Sequence, residues 1–263
     1  MNQALQNQLH GKCILVTRPV AQAAELAAQI TELGGEAVCF PLINISPLEN
    51  WQAVDEAIAR LEAFSLFIFI SPNAVTFGLG RLLARRSWPE GLAAGAVGPG
   101  TAKMLREASI GNVIVPRAHF DSEALLSLDP LQTEQVSGRK VLILRGDGGR
   151  EILAETLRAR GAEVECVTCY RRTPPTDGAF VVSLLCNNTL DAVTLSSSEG
   201  LRNLLHLLDT DSFEKLLTLP VFVPHQRIAD EAVRLGLRRV VLTEPSDSGL
   251  VVGMCTYSWS DYE

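Results

Sequence analysis

Residues 11–47 read GKCILVTRPVAQAAELAAQITELGGEAVCFPLINISP, and residues 138–174 read GRKVLILRGDGGREILAETLRARGAEVECVTCYRRTP. The two stretches align without a gap at an offset of 127. Nine of the 37 positions are identical, among them Gly11 with Gly138, Arg18 with Arg145, Gly34 with Gly161 and Cys39 with Cys166. Composition alone would give about three identities, so the chain carries an internal repeat. The correspondence continues with small gaps: residues 66–73 (LFIFISPN) match 192–199 (AVTLSSSE), and 98–102 (GPGTA) match 225–229 (HQRIA). Farther on, 113–115 match 240–242, and Asp121-Ser122 match Asp247-Ser248.

Each copy opens with a short apolar strand, 13–17 and 140–144. A helical stripe follows, carried by Leu26, Ile30 and Leu33 in the first copy and by Ile152, Leu153 and Leu157 in the second. Gly34-Gly35 and Gly161 suit the left-handed residue that ends a helix. Second strands are expected at 36–43 and 163–170, each running toward a proline. Strand–helix pairs come next at 66–70/72–84, 94–97/99–108 and 112–115/122–128, and again at 191–195/199–208, 221–223/226–235 and 239–242/248–254. Strands alternating with helices form parallel sheets covered on both faces. The fold class is therefore α/β, with two similar doubly wound parallel-sheet domains from an internal duplication. The repeat by itself places the division between them near 130–138.

The length of 263 residues suits two such domains, and 47% hydrophobic with 20% charged residues is an ordinary globular composition. The longest apolar strings, such as Leu66–Ile70, fall well short of the ~18 residues that suggest a membrane span. The opening MNQALQNQLHGK has no apolar core of signal-peptide length, so a cytoplasmic protein is expected. Against 30 acidic residues stand 23 basic ones, 19 Arg and 4 Lys, for a net charge of −7. Arg85-Arg86, Arg171-Arg172 and Arg238-Arg239 are isolated pairs, and no basic face for nucleic acid is formed.

Six cysteines stand at 13, 39, 166, 169, 186 and 255. Cys166 and Cys169 make a C-x-x-C, but within Glu163–Tyr170, which reads as a strand. Alternation sends the two sulfurs to opposite faces, whereas a redox motif would open a helix. The histidines at 10, 119, 206 and 225 have no ligand spacing. RGDGGRE (145–151) lacks both G-x-G-x-x-G and a Walker lysine, and the next strand ends in Cys-Val-Thr-Cys instead of the acidic residue a ribose needs. No metal or cofactor is expected.

What recurs is the chemistry of the strand-to-helix turns. Thr17-Arg18-Pro19, Ser71-Pro72-Asn73, Gly98-Pro99-Gly100-Thr101, Arg145-Gly146, Ser196-Ser197-Ser198 and Pro224-His225-Gln226-Arg227 all fall at the carboxyl edge of a parallel sheet, where ligands bind. Each helix start there offers N–H groups and partial positive charge. A ligand with many anionic arms would suit such a set, although Ser, Thr and Asn serve as ordinary caps in any α/β protein.

The ordered series Thr17-Arg18-Pro19, FISPNAV (69–75), AVGPGTA (96–102), LRGDGGREIL (144–153), YRRTPP (170–175) and SSSEGL (196–201), together with the repeat, resembles the uroporphyrinogen-III synthase family over residues 11–253. The resemblance implies an enzyme that closes hydroxymethylbilane, a linear tetrapyrrole with eight carboxylates, into uroporphyrinogen III. Water is lost, the terminal ring is inverted, and no metal or cofactor takes part. It also implies domains of 1–40 plus 171–263 and of 45–168, joined by a two-stranded linker at 40–47 and 168–175, with the active site in the cleft between them.

By the same resemblance Tyr170 assists loss of the hydroxyl. Arg18, Ser71, Asn73, Gly98, Thr101, Arg145, Gly146, Arg150, Ser197, Ser198, His225 and Arg227 are expected at the substrate. The turn at 224–229 departs from the family, with His225 and Ile228 where Ser or Thr is frequent. The only partner implied is the small-molecule substrate, with no nucleic acid and no membrane, acting on a monomer. Two other classes remain open on the residues alone: a two-domain hinge-type anion-binding protein without catalysis, and a transferase using a nucleotide donor, for which the turns lack a phosphate motif.

Overall fold

Runs such as Cys13–Val16 (CILV) and Leu66–Phe69 (LFIF) are buried at every position, as strands covered on both faces must be. The computed structural model describes residues 7–148 and 151–259. In chain order the strands are β1 (Cys13–Val16), β2 (Glu36–Cys39), β3 (Asn44–Ser46), β4 (Leu66–Phe69), β5 (Ala93–Ala96), β6 (Val113–Ile114), β7 (Lys140–Gly146), β8 (Glu163–Thr173), β9 (Ala192–Thr194), β10 (Val221–Val223) and β11 (Val240–Leu242). They form one sheet in the order β11-β10-β9-β1-β2 and another in the order β3-β8-β7-β4-β5-β6.

The first compact unit comprises the residues up to Asn44 and those from Thr173 onward, and the second comprises Ile45–Arg172. In the first, β1 lies parallel between β2 and β9, pairing Ile14 with both Ala37 and Ala192. In the second, β7 lies parallel between β8 and β4, pairing Leu142 with both Glu165 and Phe67. The two sheets thus share one layout, β2-β1-β9-β10-β11 and β8-β7-β4-β5-β6. The strand–helix–strand segment quoted above leads the chain in one unit and closes the other.

Period-two alternation gives each unit an apolar cluster on either face of its sheet. In the first unit Leu15, Val193, Val221 and Val223 face one way, with Leu201, Leu204 and Ile228. Ile14, Val16, Ala192 and Phe222 face the other, against Leu26, Ile30 and Leu33. In the second unit Phe67, Phe69, Leu142 and Leu144 form one cluster, and Leu66, Ile68, Val141 and Ile143 join Leu153 and Leu157 in the other. Cys169 belongs to the former and Cys166 packs against the latter, so the two sulfurs lie on opposite faces as the alternation requires. Gly34 and Gly161 hold φ of 84° and 86°, the left-handed conformation that ends their helices.

The structure departs from the sequence reading in several elements. Helices at Gln52–Ala59, Ala179–Cys186 and Thr210–Leu216 lie between the repeat blocks, outside the elements that the sequence predicts. The helix expected at 72–84 is three pieces, Pro72–Ala74, a π turn at Val75–Leu79, and Gly80–Leu83. β2 stops at Cys39. Phe40 and Leu42 still donate to Val16 and Thr17, while Pro41 between them, on an edge strand, leaves no N–H on the open side. Its counterpart β8 has no such interruption and continues through Thr173. Arg171 and Arg172, expected with the first unit, therefore belong with the second.

Candidate active site

At the carboxyl edge of the second sheet, β4 leads through Ile70 into Ser71. This residue is extended (φ −160°), and its Oγ accepts the Ala74 N–H at 3.2 Å, capping the helix that follows. The same Oγ lies 3.1 Å from Tyr170 Oη. Tyr170 lies inside β8, where a shift of register at Arg145/Gly146 sets it opposite Gly146. Its ring stacks on Phe77 at 6.0 Å and 27°, and only 2% of the residue is exposed. Gly146 makes the approach possible: a Cβ there would lie 2.6 Å from Tyr170 Cε2. Burial pushes the phenol above its ordinary pKa, offset in part by the Ser71 hydrogen bond, the Arg172 charge and the Gly146 backbone. Next in sequence, Cys169 is pushed by burial up to about 12. Its Sγ is 3.4 Å from the Arg145 carbonyl oxygen, to which it donates. This thiol is neutral and structural.

Other expected residues surround this pair or lie near the same edge. Asn73 is half-buried in the first turn after Ser71. Gly98 begins the helix Pro99–Glu107 with no side-chain cap. Pro99 has no N–H to satisfy, so the backbone N–H groups of Gly100 and Thr101 are the donors presented there. The Thr101 side chain itself is buried, at 2% exposure. Arg145 is paired with Glu151 at 2.6 Å. Arg150 lies outside the described residues.

The first unit repeats the pattern with different partners. Thr17 is buried and donates to the Thr194 carbonyl at 2.6 Å, tying the end of β1 to β9. Arg18 pairs with Asp247 at the start of the helix Asp247–Cys255. Ser197 caps its helix by accepting the Gly200 N–H at 2.9 Å. Ser198 is buried in the first turn of the helix Ser198–Leu207, from which Arg202 pairs with Glu231. The Ser198 side chain therefore serves helix packing. His225 begins the helix Gln226–Arg234 without capping it, and His225 and Arg227 are exposed.

The repeat thus divides its turns by chemistry. The matched Ser71 and Ser197 are caps, while the helices after the matched Gly98 and His225 begin uncapped and offer backbone N–H groups to an anion. Sequence reasoning missed Asp247 and Glu151, which neutralise Arg18 and Arg145, and Phe77, which supports the Tyr170 ring. Asp247 carries a misleading signal, because its match Asp121 caps its own helix through Ala124 N–H at 2.8 Å. No group of His, Cys, Asp or Glu able to hold a metal ion occurs among the described residues, nor any helix long and apolar enough to cross a membrane. Ser197→Ala removes this cap and is expected to lower stability by about 1 kcal/mol; urea unfolding measures it.

The family model described as uroporphyrinogen-III synthase HemD matches residues 24–252. Uroporphyrinogen-III synthase of Escherichia coli (strain K12) is 34% identical over 238 residues, covering 89% of this chain and 96% of that protein. The enzyme of Synechococcus elongatus is 32% identical over 209 residues, covering 77% of each. Among solved structures, a mutant uroporphyrinogen III synthase from the extremely thermophilic bacterium Thermus thermophilus superposes with a TM-score of 0.62 at 17% identity, over 92% of this chain and 97% of that one. The uroporphyrinogen-III synthetase of Helicobacter pylori 26695 gives 0.55 at 16% identity, with the same coverage. At these identities the two structures speak for the fold.

Proposed function

The chain belongs to the uroporphyrinogen-III synthase family, and from that premise we propose that it closes hydroxymethylbilane into uroporphyrinogen III with inversion of the terminal pyrrole ring. The observation that carries the reading at the level of residues is the Ser71–Tyr170 pair, two neutral hydroxyl groups in contact at a sheet edge. Departure of the substrate's terminal hydroxyl is driven by the pyrrole nitrogen and leaves a reactive azafulvene. A proton delivered to that hydroxyl releases it as water. The protein then holds the chain so that the terminal ring attacks through its substituted carbon, forming the spiro intermediate from which the inverted ring recloses. This is catalysis by orientation, together with exclusion of the direct closure.

Carboxylate binding follows from the charges. A net charge of −7 repels the substrate at long range. Arg18 and Arg145 already hold Asp247 and Glu151, so an incoming carboxylate exchanges one anion for another at each guanidinium. The larger share of the attraction falls to the uncapped helix starts, that at Gly98 with Ser71, Asn73, Thr101 and Gly146 in the second unit, and that at His225 with Ser197 and Arg227 in the first. Arg150, outside the described residues, belongs to the same proposal. The reading puts the protein in the cytoplasm as a monomer with neither cofactor nor nucleic acid. The free state of all six cysteines supports a reducing compartment.

The test supplies hydroxymethylbilane, oxidises the products and resolves the isomers, with and without exhaustive chelation. Isomer III in both arms is expected. Isomer I alone, the product of spontaneous closure, overturns the reading and leaves an anion-binding protein. Loss of isomer III on chelation, restored by metal, overturns the cofactor-independent mechanism.

A further inference from the structure

We infer that Ser71 is the relay through which the buried Tyr170 phenol delivers its proton, so that the group meeting the departing hydroxyl is the serine. The inference rests on the function proposed above and assigns the donor within it.

Tyr170 is among the largest fully buried side chains of the protein. Phe77 stacks on its ring, and a Cβ at Gly146 would lie 2.6 Å from Cε2 and 2.7 Å from Cζ of the ring. The phenol has its side-chain hydrogen bond to Ser71 Oγ, at 3.1 Å. Ser71 is only half-buried and stands where β4 passes into its helix, at the carboxyl edge. A hydroxyl has two acceptor positions and one proton to donate. Ala74 N–H occupies one acceptor position of Ser71 Oγ, and the other is within reach of the Tyr170 hydroxyl, which acts as its donor in the relay. The serine's own proton is left to point away from both. The capping bond and the phenol together orient a donor that neither would fix alone.

The step balances. As the carbon–oxygen bond of the hydroxymethyl group breaks, the Ser71 proton passes to the leaving oxygen and water forms. The Tyr170 proton moves to Ser71 Oγ. The phenolate is left beside the Gly146 backbone and the Arg172 charge, both of which favour it, with the neutral Cys169 thiol adjacent. The proton shed by the terminal pyrrole as the macrocycle closes returns along the same path.

The repeat contains its own control. Ser197 matches Ser71 and caps its helix in the same way. The position matching Tyr170 at the offset of 127 is Ile43, which carries no proton to relay. Loss of a cap and loss of a relay can therefore be measured at paired sites.

The experiment compares isomer III formation by Ser71→Ala, Ser71→Asn, Ser71→Thr, Tyr170→Phe, Ser71→Ala with Tyr170→Phe, and Ser197→Ala, with unfolding followed for each. Asn keeps the cap without the hydroxyl, so Ser71→Asn decides the matter if Ser71→Ala folds poorly. Ser71→Ala, Ser71→Asn and Tyr170→Phe should each lower kcat by about 10²-fold, the lower end for general-acid assistance, with KM little changed. The double variant should be no slower than either single one, since both remove one path. Ser71→Thr should recover most of the rate, and Ser197→Ala should lose less than about fivefold, the effect of one neutral hydrogen bond. If folded Ser71→Ala and Ser71→Asn run like Ser197→Ala, or if the losses at 71 and 170 multiply, Ser71 is a cap and the relay fails while the enzyme assignment stands. If the parent protein makes only isomer I, the failure belongs to the functional reading instead.

Discussion

Tyr170→Phe is expected to fold like the parent and to form isomer III about 10²-fold more slowly. The substitution deletes one oxygen from a residue that is 2% exposed and leaves its stack on Phe77 in place. Because burial raises the phenol's pKa, Tyr170 is protonated throughout the neutral range. The sign follows directly: the Tyr170-dependent share of the rate stays level through neutral pH and is lost only as pH rises through the raised value on the alkaline side. In Tyr170→Phe that alkaline loss should disappear along with the rate. The isomer formed on the enzyme should not change, because ring choice belongs to the way the substrate is held. A variant running at the parent rate, with parent stability, would make Tyr170 a packing residue.

Gly146→Ala is expected to lower both stability and activity, although Ala is the smallest change available. Its Cβ would lie 2.6 Å from Cε2 and 2.7 Å from Cζ of Tyr170, and 3.0 Å from Cδ of Arg172. The ring is stacked on Phe77 and buried, so a shift large enough to relieve the clash disturbs that stack. Overpacking of this kind costs about 1–3 kcal/mol, and displacement of the ring breaks the contact with Ser71. Turnover should therefore fall at least as far as in Tyr170→Phe. Truncating the ring supplies the check: in a Tyr170→Ala background, Gly146→Ala should lose most of its stability cost, since neighbours that clash are not additive. An unchanged cost would place the strain elsewhere.

The architecture is legible because the repeat and the alternation reinforce each other. CILV and KVLIL read as buried strands, Gly34 and Gly161 as helix ends, and the match of 66–73 with 192–199 puts Ser71 and Ser197 at equivalent turns. The helices at Gln52–Ala59 and Thr210–Leu216 carry ordinary signals, Val54, Ala57 and Ile58 on one stripe and Asp209 capping Ser212. They fall outside the repeat, so the duplication does not point to them. Ala179–Cys186 is apolar nearly all round and gives no clear period.

The site is legible in part. The turns announce themselves through Gly, Ser and Pro, but pairing across them does not. Nothing local ties Arg18 to Asp247, or shows that Thr101 and Ser198 turn inward. The sequence puts Tyr170 at the end of a strand. Only the continuation of β8 through Thr173 and the shift of register beside Gly146 reveal a core residue whose hydroxyl reaches the edge through Ser71. Such facts depend on contacts nearly a hundred residues apart, which composition and spacing do not encode.

The most direct measurement fixes the hydroxymethylbilane concentration, raises the protein concentration, and follows the ratio of isomer III to isomer I. Spontaneous closure supplies isomer I at a constant rate, so the ratio reports enzymatic inversion alone. The account predicts a ratio that climbs in proportion to the protein, and about 10²-fold more Tyr170→Phe protein needed to reach the same value. A ratio that stays at the spontaneous value at every concentration of the folded parent protein would contradict it.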